Sequence, residues 1–249
     1  MKFSFSFFAV LAVSASQCMH AADWLEQFGL GKKSTNQPSV ISATALSQDQ
    51  MVSGLKEALG KGVEHAITSL GKPDGFLKDL SVKIPLPDRL KTVERSLRML
   101  RQDKLADDFV MTMNRAAEQA VPQAAGVLGN SIQQMTLTDA QAILTGTNNA
   151  ATQYFRRTSE TNLYERFYPI VSKTTQQAGV TSAYKKMMDK TSFAGSFLGP
   201  DTGDLDGYIT HKTLDGLFVK IADEEKRIRE NPMARTTDLL QKVFGAFQK

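Results

Sequence analysis

From Ser47 to the end of the chain the apolar residues recur every three or four positions, and only one short stretch alternates like a strand. That stretch, Val82, Ile84 and Leu86, carries Pro85 and Pro87, which lack backbone donors and exclude it from the interior of a sheet. A lone edge segment with no partner strand cannot build a β domain. It is expected to lie extended against helices, so the fold class is all-α.

The helical pattern is punctuated by readable start and stop signals. Ser47 and Gln50 form a capping-box pattern before Met51, Leu55, Leu59, Ala66 and Leu70, and Gly71 with Pro73 closes that helix. Leu90, Val93, Leu97 and Leu100 share the next stripe. Leu105 to Val121 is expected to be a helix bent or ended at Pro122, and Gln123 to Met135 another. Thr138 and Gln141 suggest a second capping box, with an interruption at Gly146 and renewed helix from Asn149 to Thr158. Ser159 or Thr161 is expected to cap a helix that contains Pro169 and stops at Gly179, with a short helix near Ser182 to Lys190. A Gly- and Asp-rich loop from Gly195 to Gly207 precedes a long helix halted by Asn231 and Pro232, and Thr236 or Thr237 caps the last helix. No internal repeat of helical-hairpin length is evident, which speaks against a solenoid.

The other end of the chain reads differently. Lys2 is followed by the apolar run Phe3 to Ala15 and by small residues at Ala21 and Ala22, the layout of a secretory signal peptide. The run is shorter than the ~20 apolar residues needed to span a bilayer, so it is expected to be cleaved. Residues 31–46 are polar and lack a period, as a flexible tether does. The expected organisation is therefore a signal peptide over 1–21, a tether over 22–46 and a single compact multi-helix domain over 47–249. Periplasmic or cell-envelope localisation follows from it. Cys18 offers a rival processing site: lipidation there would make an outer-membrane lipoprotein, and membrane attachment is expected only in that case.

Several chemistries are excluded by what remains after cleavage. Cys18 is the chain's one cysteine, so the processed domain has neither disulfide nor thiolate. His65 and His211 alone are too few for a His-rich metal site, and no cofactor is expected. The formal charge of +4 becomes +3 without Lys2, and the bases do not gather into an uncompensated stripe, which excludes a nucleic-acid footprint. The densest basic cluster, Arg89, Lys91, Arg95, Arg98 and Arg101, is offset by Glu94, Asp103, Asp107 and Asp108 and reads as a solvated helix face.

Candidate site residues come from charges at positions that helical geometry hides. Glu225 falls on the apolar face made by Leu214, Leu217, Phe218, Ile221 and Ile228, with Arg229 one turn on. A buried carboxylate needs a partner, so either a structural ion pair or a ligand-binding or catalytic acid is expected there, with Arg115 or Arg235 as further partners. On the helix near residue 113, Asn114, Arg115 and Glu118 lie away from the packing side and suggest a polar network, across which Glu118 and Glu225 would meet. The loop with Asp204, Asp206, Gly207 and Ile209 resembles a calcium loop, but Thr202 and Thr213 stand where the first aspartate and the bidentate glutamate belong. Asp206 or Thr210 reads better as a helix N-cap. Hydrolase elbows, P-loops and dinucleotide fingerprints are missing.

The stretches Met113 to Glu118, Asp139-Ala140 with Ile143-Leu144 and Gly146, Ala151-Thr152 with Tyr154-Phe155, and Glu224-Glu225 with Ile228-Arg229 and Asn231-Pro232 resemble the bacterial envelope family called domain of unknown function 4197. The similarity runs from about Leu55 to Phe244. It implies an exported helical protein and transfers no catalytic or binding residue. Residues and resemblance together suggest a non-catalytic envelope protein that binds a protein partner or small ligand through Asn114, Arg115, Glu118, Glu225 and Arg229. The alternative is a periplasmic hydrolase-type enzyme using Glu118 and Glu225 as a carboxylate pair.

Overall fold

The computed structural model describes residues 47–178 and 204–231. The expected signal peptide, Cys18, the tether, the short helix at 182–190 and the last helix from Thr236 lie outside the described residues.

Seven α-helices are described: α1 (Gln48–Leu70), α2 (Lys91–Met99), α3 (Asp103–Ala120), α4 (Ala124–Gln134), α5 (Leu137–Thr145), α6 (Ala150–Gln177) and α7 (Leu205–Glu230). No strand occurs among the described residues, as the periodicity requires. Helix α6 packs against α3, α4, α5 and α7, while α7 also packs against α1 and α3. The two longest helices thus form the centre of the domain. Leu163, Phe155 and Phe167 of α6 and Ile209, Leu217 and Phe218 of α7 are buried between them and their neighbours.

Local chemistry sets most of the boundaries. Ser47 accepts a hydrogen bond from the Gln50 backbone and Gln50 answers with its side chain, the expected capping box. Gly71 follows the last residue of α1 as expected. Pro122 turns the chain through a short 3-10 segment, Val121–Gln123, between α3 and α4.

Four expectations are corrected. The second capping box is formed by Thr136 and Asp139, not Thr138 and Gln141, so α5 starts at Leu137. No helix begins at Ser159 or Thr161: α6 runs unbroken, and the Ser159 hydroxyl is buried 2.7 Å from the Ser131 hydroxyl. Helix α7 is capped by Asp204, which accepts from the Gly207 N–H, and both Asp206 and Thr210 lie inside the helix. Leu100 does not join the buried stripe of Leu90; it is 71% exposed.

Between α1 and α2 the chain from 71 to 87 is a connector that lies against the helices. Val82, Ile84 and Leu86 are buried, as an extended segment with alternating apolar residues demands. Phe76 is fully buried, and its ring sits where a side chain of Gly216 on α7 would project, 2.6 Å from an ideal Cβ. Glycine in mid-helix costs about 1 kcal/mol relative to alanine. It is retained here because the connector occupies the space. Gly216→Leu is expected to lose about 1–3 kcal/mol through overpacking, seen as a lower urea midpoint, and shortening the opposing ring with Phe76→Leu should recover part of the loss.

The connector is also tied electrostatically to α7. Lys220 approaches Asp79 to 2.7 Å, and Ser81 donates to the same carboxylate from its backbone and hydroxyl. Hydrogen bonds from Lys220 and Ser81 lower the Asp79 pKa to about 2. The unfolded carboxyl titrates near ~3.9. A depressed folded-state pKa contributes stability above about pH 4 that is lost as pH falls toward 2. The acid-induced drop in urea midpoint over that window should be smaller in Asp79→Asn than in the parent.

Candidate functional site

On α3, residues 114 and 118 are one turn apart and face the connector together. Asn114 is fully buried. Its side-chain oxygen accepts from the Ile84 N–H at 2.9 Å, and its NH2 donates to the Ile84 carbonyl at 3.0 Å and to the Val110 carbonyl at 2.8 Å. A carboxamide offers one donor and one acceptor side by side, the same pair that a neighbouring strand would present. Asn114 therefore replaces the missing sheet partner of the alternating segment.

Glu118 holds the start of the same connector. One carboxylate oxygen accepts from the backbone N–H groups of Phe76 at 3.1 Å and Leu77 at 3.3 Å, and the other accepts from Arg115 at 2.6 Å. Arg115 then reaches Asp74 at 2.6 Å. Asp74 adopts a left-handed backbone, φ 68°, at the turn out of α1. Hydrogen bonds from Lys78 and Arg115 hold its carboxyl below the usual range.

Glu225 and Arg229 build a second clasp. Both are largely buried, and the guanidinium donates to the carboxylate at 2.8 Å and 3.1 Å, the ion pair that helical spacing predicts. The remaining bonds were not legible in advance. Glu225 accepts from the Ala151 N–H at 3.0 Å, the Thr152 N–H at 2.9 Å and the Thr152 hydroxyl at 2.9 Å. These amides lie in the first turn of α6, where helix geometry leaves N–H groups without acceptors. Asn149, in the N-cap position, makes no capping bond of its own. Glu225 caps α6 from another helix, and its negative charge also suits the positive end of the helix dipole. Arg229 completes the junction by donating to the Ile143 carbonyl at 2.8 Å, in the last turn of α5.

The five candidate residues thus fall into two sets. Asn114, Arg115 and Glu118 hold the connector, whereas Glu225 and Arg229 hold the α5–α6 junction. Glu118 and Glu225 do not form the expected pair, because each is turned toward backbone donors of a different segment. Arg115 serves Glu118 and Asp74 rather than Glu225, and Arg235 lies outside the described residues. No buried side-chain polar atom among the described residues lacks a hydrogen-bond partner.

The calcium-loop residues are also dispersed. Asp204 spends one oxygen on the Gly207 N–H at 2.7 Å, and Asp206, buried in the first turn of α7, accepts from the Thr175 hydroxyl at 2.7 Å. Ile209 and Thr213 are already within α7, so the chain does not wrap around a centre. No group of three His, Cys, Asp or Glu residues fit to hold a metal occurs among the described residues. His65 is exposed and 2.6 Å from Glu224, and the His211 ring packs 4.9 Å from that of Tyr164.

Sequence reasoning missed an open cleft of about 460 Å3 between the connector and helices α2 and α3. Leu77, Leu86 and Met111 form part of its apolar wall, and Lys83, Arg98 and Asp107 bring charge to it. None of the five candidate residues lines it.

The stretches that supply the clasps, Met113 to Glu118, Ile143, Ala151-Thr152 and Glu225 with Arg229, all fall within residues 45–245, over which the chain matches the family model described as protein of unknown function (DUF4197). The chain belongs to this family. Membership of DUF4197 agrees with the resemblance read from the residues and brings no assigned activity with it. No curated protein and no solved structure matches the chain at a significant level.

Proposed function

We propose that this DUF4197 protein is an exported, non-catalytic cell-envelope protein whose helical body binds a protein partner or small ligand. The observation that carries the non-catalytic part is that both carboxylate oxygens of Glu118 and of Glu225 already accept from backbone or arginine donors. A general acid or base needs a carboxylate oxygen within hydrogen-bond reach of a substrate. Here those positions belong to the chain itself. Support for export comes from Lys2 and the apolar run Phe3 to Ala15.

Fractionation of a bacterial culture expressing the full chain, followed by intact mass measurement, tests the location. The expected product is an envelope-fraction protein lacking residues 1–21 or 1–22; an uncut chain in the cytosol contradicts the proposal. Native mass spectrometry of the same material reads bound ligand or partner. Hydrolysis of ester, peptide or glycoside substrates that is abolished in a folded Glu118→Gln variant would contradict the non-catalytic reading.

A further inference from the structure

Along the connector, successive backbone groups turn to opposite sides. Ile84 directs its N–H and C=O to Asn114 on α3, at 2.9 Å and 3.0 Å, and the next carbonyl, that of Pro85, accepts from the Tyr208 hydroxyl on α7 at 3.0 Å. This is the alternation of an extended strand. Ile84 and Leu86 each precede a proline, which confines both to extended backbone. The N–H and C=O of Leu86 therefore turn back to the α3 side.

Neither group finds a partner there. The Leu86 N–H and C=O make no hydrogen bond among the described residues, although the residue is buried. Backbone groups in buried residues are nearly always paired, with protein, water or a bound molecule. At this position the cleft of about 460 Å3 opens, with Leu86 on one wall and Val110 and Met111 of α3, one turn before Asn114, on the other. Asn114 occupies the ladder position opposite Ile84, and the cleft occupies the next one. Its volume lies within the roughly 300–1,000 Å3 of ligand sites.

Charge does not select the occupant, because Lys83, Lys91 and Arg98 around the cleft are balanced by Glu94, Asp107 and Asp108. Hydrogen-bond geometry does. A donor and an acceptor on one residue of an extended segment match the main chain of a second extended segment, the pairing used when a peptide adds a strand to an open edge. Leu77, Val110 and Met111 supply apolar contact for its side chains.

We infer that the cleft binds an extended peptide segment of a protein partner, whose main chain pairs with the N–H and C=O of Leu86 and continues the ladder that Asn114 begins at Ile84. The inference rests on the binding function proposed above and names the surface that performs it.

The test follows the Leu86 amide by NMR in the secreted chain. The probe is a mixture of acetylated, amidated hexapeptides with valine, leucine or phenylalanine at alternate positions and serine between them. The expected result is a shifted Leu86 cross-peak whose hydrogen exchange slows by at least about tenfold at saturation. The same peptides N-methylated at every residue keep their side chains but donate no main-chain hydrogen bond, and should bind about tenfold more weakly. Met111→Trp fills the cleft from a side chain that is 39% exposed, and should abolish binding with helical content and Tm unchanged. Absence of a Leu86 shift with the mixture at millimolar concentration, equal binding by the N-methylated peptides, or equal binding by a folded Met111→Trp variant overturns the inference. A partner or ligand found by native mass spectrometry that leaves the Leu86 amide unchanged removes the peptide site and keeps the binding function, so the two failures are distinguishable.

Discussion

Glu225→Ala is expected to lower the free energy of unfolding by about 3–5 kcal/mol, the range found when one member of a buried ion pair is removed. The loss has three sources here. Arg229 is left without its carboxylate, the Ala151 and Thr152 amides lose their acceptor, and the positive end of the α6 dipole loses its counter-charge. For a domain of this size that corresponds to a fall in Tm of roughly 6–20 °C. Arg229→Ala should cost less, about 2 kcal/mol, because the carboxylate keeps its three donors on Ala151 and Thr152. An unchanged Tm in Glu225→Ala would show that the side chain does not cap α6.

Glu118→Ala is expected to cost about 2–4 kcal/mol. The lower figure reflects Arg115, which retains Asp74 and is partly open to water. Coupling tests the division into two clasps more sharply than either magnitude. Glu118→Ala and Glu225→Ala should add to within about 0.5 kcal/mol, as changes without shared partners do. Glu118→Ala and Asn114→Ala should not, since both release the connector that carries Phe76 and Ile84. A strong coupling between the two glutamates, measured by urea unfolding of the four variants in the cycle, would restore the single-network picture.

What could be read in the sequence was what depends on near neighbours. Ser47 and Gln50 are three residues apart, and their box formed as the pattern implied. The apolar face of α7 and the burial of Glu225 upon it follow from a period of 3.6 residues, and Leu214, Leu217, Phe218, Ile221 and Ile228 are all buried. The failures have local causes too. Thr136-x-x-Asp139 and Thr138-x-x-Gln141 are overlapping cap patterns, and only Thr136 lies outside the helix. Ser159 matches a cap by composition, yet a serine bonded to Ser131 sits in α6 without interrupting it.

The site was only half legible because its other half is tertiary. Sequence spacing gives Arg229 as a partner for Glu225, but nothing local says that the first turn of α6, some seventy residues earlier in the chain, supplies the remaining donors. For Asn114 the clue was present in two pieces: a polar residue on a helix rich in alanine, and an alternating segment with no strand to pair with. Only the fold joins them. The cleft was hidden for the same reason, whereas the exposure of Leu100 has a local cause: Arg101, at φ 57°, turns the chain out of α2 and ends the stripe that periodicity extended to Leu100.

The most direct test is amide hydrogen exchange at Phe76, Leu77, Ala151 and Thr152, resolved by NMR on the native protein. Connector amides and the first-turn amides of a helix ordinarily lack helical acceptors and exchange early. Bonded to Glu118 and Glu225, these four should be protected by orders of magnitude, and Glu225→Gln should weaken protection at Ala151 and Thr152 while leaving Phe76 and Leu77 slow. Exchange of all four at the rate of an unstructured peptide would contradict the claim that the two carboxylates are committed to holding the fold.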